Sequence, residues 1–144
     1  MAEASAGELI TSARVTGNRD DPRYVQRIQC GRHQLLADEP PSRGGADAGP
    51  TPFSYLVCAL GACTSMTLRM YAERRQWDLG TIDVTVELRR HAGTNYIERA
   101  VSISTPLTDE QRKTLADICE RTPVTLAVKS GIMIQTALQY EQRP

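Results

Sequence analysis

The chain has 144 residues, within the usual span of one domain and long enough to bury a core. Its 17 basic and 17 acidic side chains cancel, and no Lys/Arg run is long enough to mark a nucleic-acid or anionic-membrane binder. The first residues, MAEASAGELITSARV, lack a basic segment followed by an apolar one. The longest apolar run, Phe53 to Cys63, is about half the ~20 residues a bilayer requires, so a cytoplasmic protein with no nucleic-acid or membrane partner is expected.

In chain order, Glu8 to Val15 and Arg23 to Ala37 are β-favourable, the second a hairpin turning near Cys30-Gly31. Three strands are predicted there. The segment 38–52, DEPPSRGGADAGPTP, is a long loop without the GxxxxGK[ST] spacing of a phosphate-binding loop. Thr51 can then cap a helix with Pro52 at its first position, and that helix is predicted to run to about Trp77. Its opening turns, FSYLVCALGAC, are apolar nearly all round and must be covered on more than one side, which a symmetric partner would do most economically. A homodimer is therefore expected.

Thr81 to Arg90 alternates cleanly, with Ile82, Val84, Val86 and Leu88 on one face. His91 to Asn95 turns the chain, and Tyr96 to Thr105 returns as the second arm of an antiparallel hairpin. Thr108-Asp-Glu-Gln111 matches a capping box for a helix through about Arg121. Thr122-Pro123 starts a shorter helix ending near Gly131, and Ile132 to Tyr140 is predicted as a last strand. The order βββ, α, ββ, αα, β is not the alternation of a doubly wound fold. It predicts one α+β domain over residues 1–144, with helices against a curved antiparallel sheet.

Cysteines at 30, 58, 63 and 119 are expected to be reduced, without a structural disulfide framework. None has Cys-x-x-Cys spacing, and with His33 and His91 they make no recognisable zinc motif, so neither a metal site nor a hydrolase triad is predicted. Cys63, in the middle of the long helix, is either a small packing residue or a reactive thiol. As a nucleophile it would need its thiolate stabilised from elsewhere, since the helix dipole fades beyond the first turn, and Arg14, Arg19, Arg23 and Arg27 are candidate donors. Cys119 shares a helix face with Leu115. It is either core packing or a second thiol able to meet Cys63, which requires Cα atoms within about 7 Å.

The runs Asp38-Glu-Pro40, Gly44-Gly45-Ala-Asp47-Ala-Gly49-Pro50-Thr-Pro52 and Leu60-Gly-Ala-Cys63-Thr-Ser-Met-Thr67-Leu-Arg-Met70-Tyr-Ala72 resemble the OsmC/Ohr superfamily, in its OsmC-like branch. The resemblance continues through Trp77, the Val84 to His91 strand and Thr122-Pro-Val-Thr125. It implies an intertwined α+β homodimer with sites at the subunit interface and a thiol-dependent peroxidase acting on organic hydroperoxides or hydrogen peroxide. Cys63 would be oxidised to a sulfenic acid, Cys119 would be the resolving cysteine, and a dithiol reductant such as a lipoyl protein would restore both. No metal or organic cofactor is implied. Two positions depart from the family pattern: the turn Pro52-Phe53-Ser54-Tyr55 lacks the usual glutamate, and Thr122 stands where the second cysteine usually precedes Pro-Val. These departures favour the alternative of a non-catalytic protein that keeps the fold and binds a small or hydrophobic ligand.

Overall fold

The computed structural model describes residues 7–140, and these fall into two compact units that divide between Leu56 and Val57. In the first unit β1 (Arg14–Thr16), β2 (Gln26–Cys30) and β3 (His33–Ala37) form an antiparallel sheet in that order. The β2–β3 hairpin turns after the Cys30↔His33 pair, where the residues singled out in the sequence place it. β1 is shorter than the predicted Glu8–Val15 strand, because only Arg14, Val15 and Thr16 find partners on β2.

The loop after β3 is ordered by one carboxylate. Asp38 is buried and accepts the backbone N–H groups of Glu39 at 2.8 Å, Ala46 at 3.1 Å and Ala48 at 3.0 Å. These bonds, the Ala48 amide foremost, hold its pKa below the ordinary carboxylate value. The loop delivers the chain into α1 (Pro52–Arg74). As the sequence predicts, Thr51 caps this helix, its Oγ1 accepting the Ser54 N–H at 3.2 Å.

α1 stops at Arg74, short of Trp77, for a local reason. Gln76 takes a left-handed φ of 56°, its N–H reaches the Glu73 carbonyl, and the Trp77 N–H reaches the Ala72 carbonyl at 2.8 Å. This pair of bonds is a Schellman closure. The Trp77 ring then meets Tyr71 edge-on at 5.8 Å, supplying the apolar contact that fastens such an end.

In the second unit β4 (Ile82–His91) and β5 (Thr94–Ile103) pair antiparallel from Ile82↔Ile103 to His91↔Thr94, turning through Ala92 and Gly93, both at positive φ. α1 crosses β4 closely: a Cβ at Gly61 would stand 3.4 Å from a Val86 methyl. α2 (Asp109–Cys119) begins with the predicted capping box, Thr108 and Gln111 bonding reciprocally. The break between α2 and α3 (Pro123–Ser130) falls at residues 120–122, with Thr122 capping α3 and Pro123 opening it. The core is Leu68 and Ala72 of α1, Leu79, and Leu115, Ile118 and Cys119 of α2.

The buried stripe of α1 is Leu60, Thr64, Leu68 and Ala72, at helical spacing. Met66 and Met70, on another face, are 60% and 57% exposed. Length and composition alone would let α1 cross a bilayer, a test that core helices of soluble proteins also pass. The predicted last strand is corrected by the structure: residues 131–140 carry no regular secondary structure, and Ile132, Met133, Ile134 and Leu138 are exposed. A strand exists only where another offers it a row of N–H and C=O groups, and among the described residues none is paired with this segment.

Candidate active site

Cys63 is half-buried on α1, one residue before the buried Thr64, and its Sγ lies 3.9 Å from Thr67 Oγ1 on the next turn. Thr64 faces inward and donates to the Leu60 carbonyl at 2.7 Å, so the turn that carries Cys63 is pinned by its neighbour. The same Thr64 hydroxyl accepts a hydrogen bond at 3.0 Å from Arg99.

Arg99 is the residue that the sequence reading missed. It stands opposite Val86 in the hairpin register, on the half-buried face that otherwise carries Ile97, Val101 and Ile103, and its side chain is only 12% exposed. From there the guanidinium donates to Thr64 Oγ1, to Thr125 Oγ1 at 2.8 Å and to the Cys119 carbonyl at 2.7 Å, with the Glu120 carboxylate 3.7 Å away. One cation therefore ties α1, the end of α2 and the first turn of α3 together. A buried guanidinium persists only when its donors are met, and here three oxygens and a carboxylate meet them. The signal was in the sequence, since Arg99 breaks the apolar alternation of β5.

Cys119 is buried in the core cluster, at 9% exposure. Burial pushes its thiol pKa up; nearby Arg99 acts in the opposite direction and Glu120 raises it further. It is therefore a protonated thiol at neutral pH. Thr122 is fully buried, shares a 2.6 Å hydrogen bond with Thr125 and caps α3. Cys63 is not among the residues packed around Cys119. Cys58 is exposed on α1 ahead of Thr64, and Cys30 is half-buried in the first unit.

The arginines proposed from the sequence are engaged within the first unit: Arg27 bonds Asp21 at 3.0 Å, Arg19 lies 3.7 Å from Asp20, and Arg23 stacks over Tyr24. Arg14 lines a cleft on the first unit together with Ile28 and Leu36. Ser54 contributes its hydroxyl to the Thr51 cap and brings no charge to the start of α1. Among the described residues no group of three His, Cys, Asp or Glu side chains is gathered as a metal site would require.

A family model described as OsmC-like protein matches residues 44–137, a segment holding the ordered loop, Cys63, Arg99, Cys119 and Thr122. The chain belongs to the OsmC-like protein family. Nothing among the curated proteins matches it. Solved OsmC structures share its α+β fold. An OsmC like protein from Mycoplasma pneumoniae superposes with a TM-score of 0.71 at 16% identity, over 87% of this chain and 91% of that one. An organic hydroperoxide resistance protein OsmC from Legionella pneumophila gives 0.62 at 18% identity, over 86% and 92%. An organic hydroperoxide resistance protein from Elizabethkingia anophelis, solved with thiocyanate bound, gives 0.64 at 18% identity, over 87% and 91%. The OsmC-like match runs unbroken across the division at residues 56 and 57.

Proposed function

We propose that this OsmC-like protein is a thiol-dependent peroxidase with Cys63 as the peroxide-reacting residue. The observation that carries this reading is the placement of a half-buried thiol on α1, inside the segment that matches the family and one residue from the Thr64–Arg99 contact. Two fold neighbours bear the name organic hydroperoxide resistance protein, which supports organic hydroperoxides as the substrate class, with hydrogen peroxide as the smaller alternative.

The oxidation and the disulfide step use this chain's sulfurs, and an outside dithiol closes the cycle. The Cys63 thiolate attacks the distal oxygen of R–O–OH; the O–O bond breaks, a proton joins the departing alkoxide to give ROH, and Cys63 becomes a sulfenic acid. Cys119 then resolves it: its sulfur attacks the Cys63 sulfur, the hydroxyl leaves with the Cys119 proton as water, and a disulfide forms. A dithiol, for example a lipoyl protein, returns both thiols by exchange and is itself oxidised to a disulfide. The burial of Cys119 means that the α2–α3 junction must loosen before the second step.

The chain as a whole, residues 1–144, is read as one OsmC-like domain acting in the cytoplasm as a homodimer. Two features support the dimer. Met66 and Met70 leave an apolar face of α1 open, and the apolar segment 132–140 has no sheet partner among the described residues. The rival reading, a non-catalytic binder of small or hydrophobic ligands, is favoured by Cys119 lying in the core and by Thr122 in the usual place of the second cysteine. Hydroperoxide consumption with a dithiol reductant separates them. Cys63→Ser is expected to abolish it, and unchanged consumption in that variant would end the peroxidase reading.

A further inference from the structure

A cleft between the end of β5 and α2 has Cys119, the proposed resolving residue, in its lining, and its other residues take no part in the chemistry proposed for Cys63. Its volume is about 440 Å³, within the range of small-molecule sites. The wall is mainly apolar, made by Leu68 of α1, Val101 and Ile103 of β5, Leu107, and Leu115 of α2, with Thr105 and Cys119 also lining it. Among the described residues Arg112 is the only charged one lining it. Among the described residues Arg112 joins no ion pair, and the acidic side chains of the preceding turn, Asp109 and Glu110, do not line the cleft.

A mainly apolar cleft lined by one arginine outside any described ion pair has the chemistry of a site for an amphipathic anion. The planar fork of arginine suits a carboxylate bidentately, while the aliphatic wall removes a hydrocarbon chain from water. We propose that the β5–α2 cleft binds an aliphatic monocarboxylate, its carboxylate on Arg112 and its chain against Leu68, Val101, Ile103, Leu107 and Leu115. Cys63 does not line it, but Cys119 does, so the ligand would share this wall with the proposed resolving thiol.

Sodium decanoate titrated into the full chain by calorimetry tests this directly, and because it reads binding alone its outcome does not depend on peroxide reduction. Saturable binding of one decanoate per chain is expected, with decanol weaker. Arg112→Gln, at an exposed position where folding is not at stake, is expected to weaken binding at least about fivefold. Ala116→Trp, which places an indole in the cleft, is expected to remove it. No saturable binding, equal affinity for decanol and decanoate, or indifference to both substitutions would overturn the proposal. So would an affinity that falls as protein concentration rises, since a second copy of the chain would then be the true occupant of the cleft.

Discussion

Arg99→Met keeps the length of the side chain and removes its charge and its donors. In the folded protein Arg99 holds Thr64 Oγ1, Thr125 Oγ1 and the Cys119 carbonyl. Two of these oxygens have other bonds to fall back on: Thr64 still donates to Leu60, and Thr125 still bonds Thr122. The Cys119 carbonyl keeps only the longer 3.3 Å bond from Thr125. The loss is therefore nearer one under-satisfied buried carbonyl plus weakened charge-assisted bonds than three full bonds, about 3 kcal/mol in all. For a chain of this size that is a fall in Tm of about 10 °C. Urea unfolding followed by Trp77 fluorescence, with the slope checked for constancy, measures it. Arg99→Lys should recover less than half, because a single ammonium cannot span helices that a fork of five N–H groups joins. A cost below about 1 kcal/mol for Arg99→Met would refute the view that this cation fastens the three helices.

Asp38 should shape the acid limb of stability. Its folded-state pKa is lowered, so its contribution is complete above about pH 4 and is lost as pH falls through the folded value; Asp38→Asn is expected to be less stable than the natural chain at pH 7 and to lose less on acidification, read as denaturation midpoints across pH. Cys119 has a raised pKa and lies in the core, so iodoacetamide at pH 7.5 is expected to label the exposed Cys58 well before it, by peptide mass mapping; equal rates would contradict its burial. If the open face of α1 is a subunit contact, Met66→Asp with Met70→Asp should shift the chain from dimer to monomer in sedimentation velocity, whereas a dimer unchanged by both would place the contact elsewhere.

Much of the fold was legible because its signals are local. The alternation of Ile82, Val84, Val86 and Leu88 sets β4, and the Thr108–Gln111 pair starts α2 as a capping box should. The end of α1 was harder to place, since its closure uses Gln76 in a conformation usually given to glycine. The last strand shows the limit of pattern reading: Ile132 to Tyr140 has the composition of a strand, but pairing depends on another strand and not on the segment itself. The site divides in the same way. Cys63 was found from a motif, while Arg99 is recognised only when the hairpin register shows it on the half-buried face of β5. Cys119 was read as either packing or chemistry, and its place in the core now makes movement of the α2–α3 junction a condition of any resolving role.

A two-cysteine peroxidase is tested by the intact mass of the reduced protein after one equivalent of cumene hydroperoxide, with peptide mapping of any new linkage. A Cys63–Cys119 disulfide formed without added cofactor is expected; four unmodified cysteines would contradict the peroxidase reading and leave ligand binding in its place.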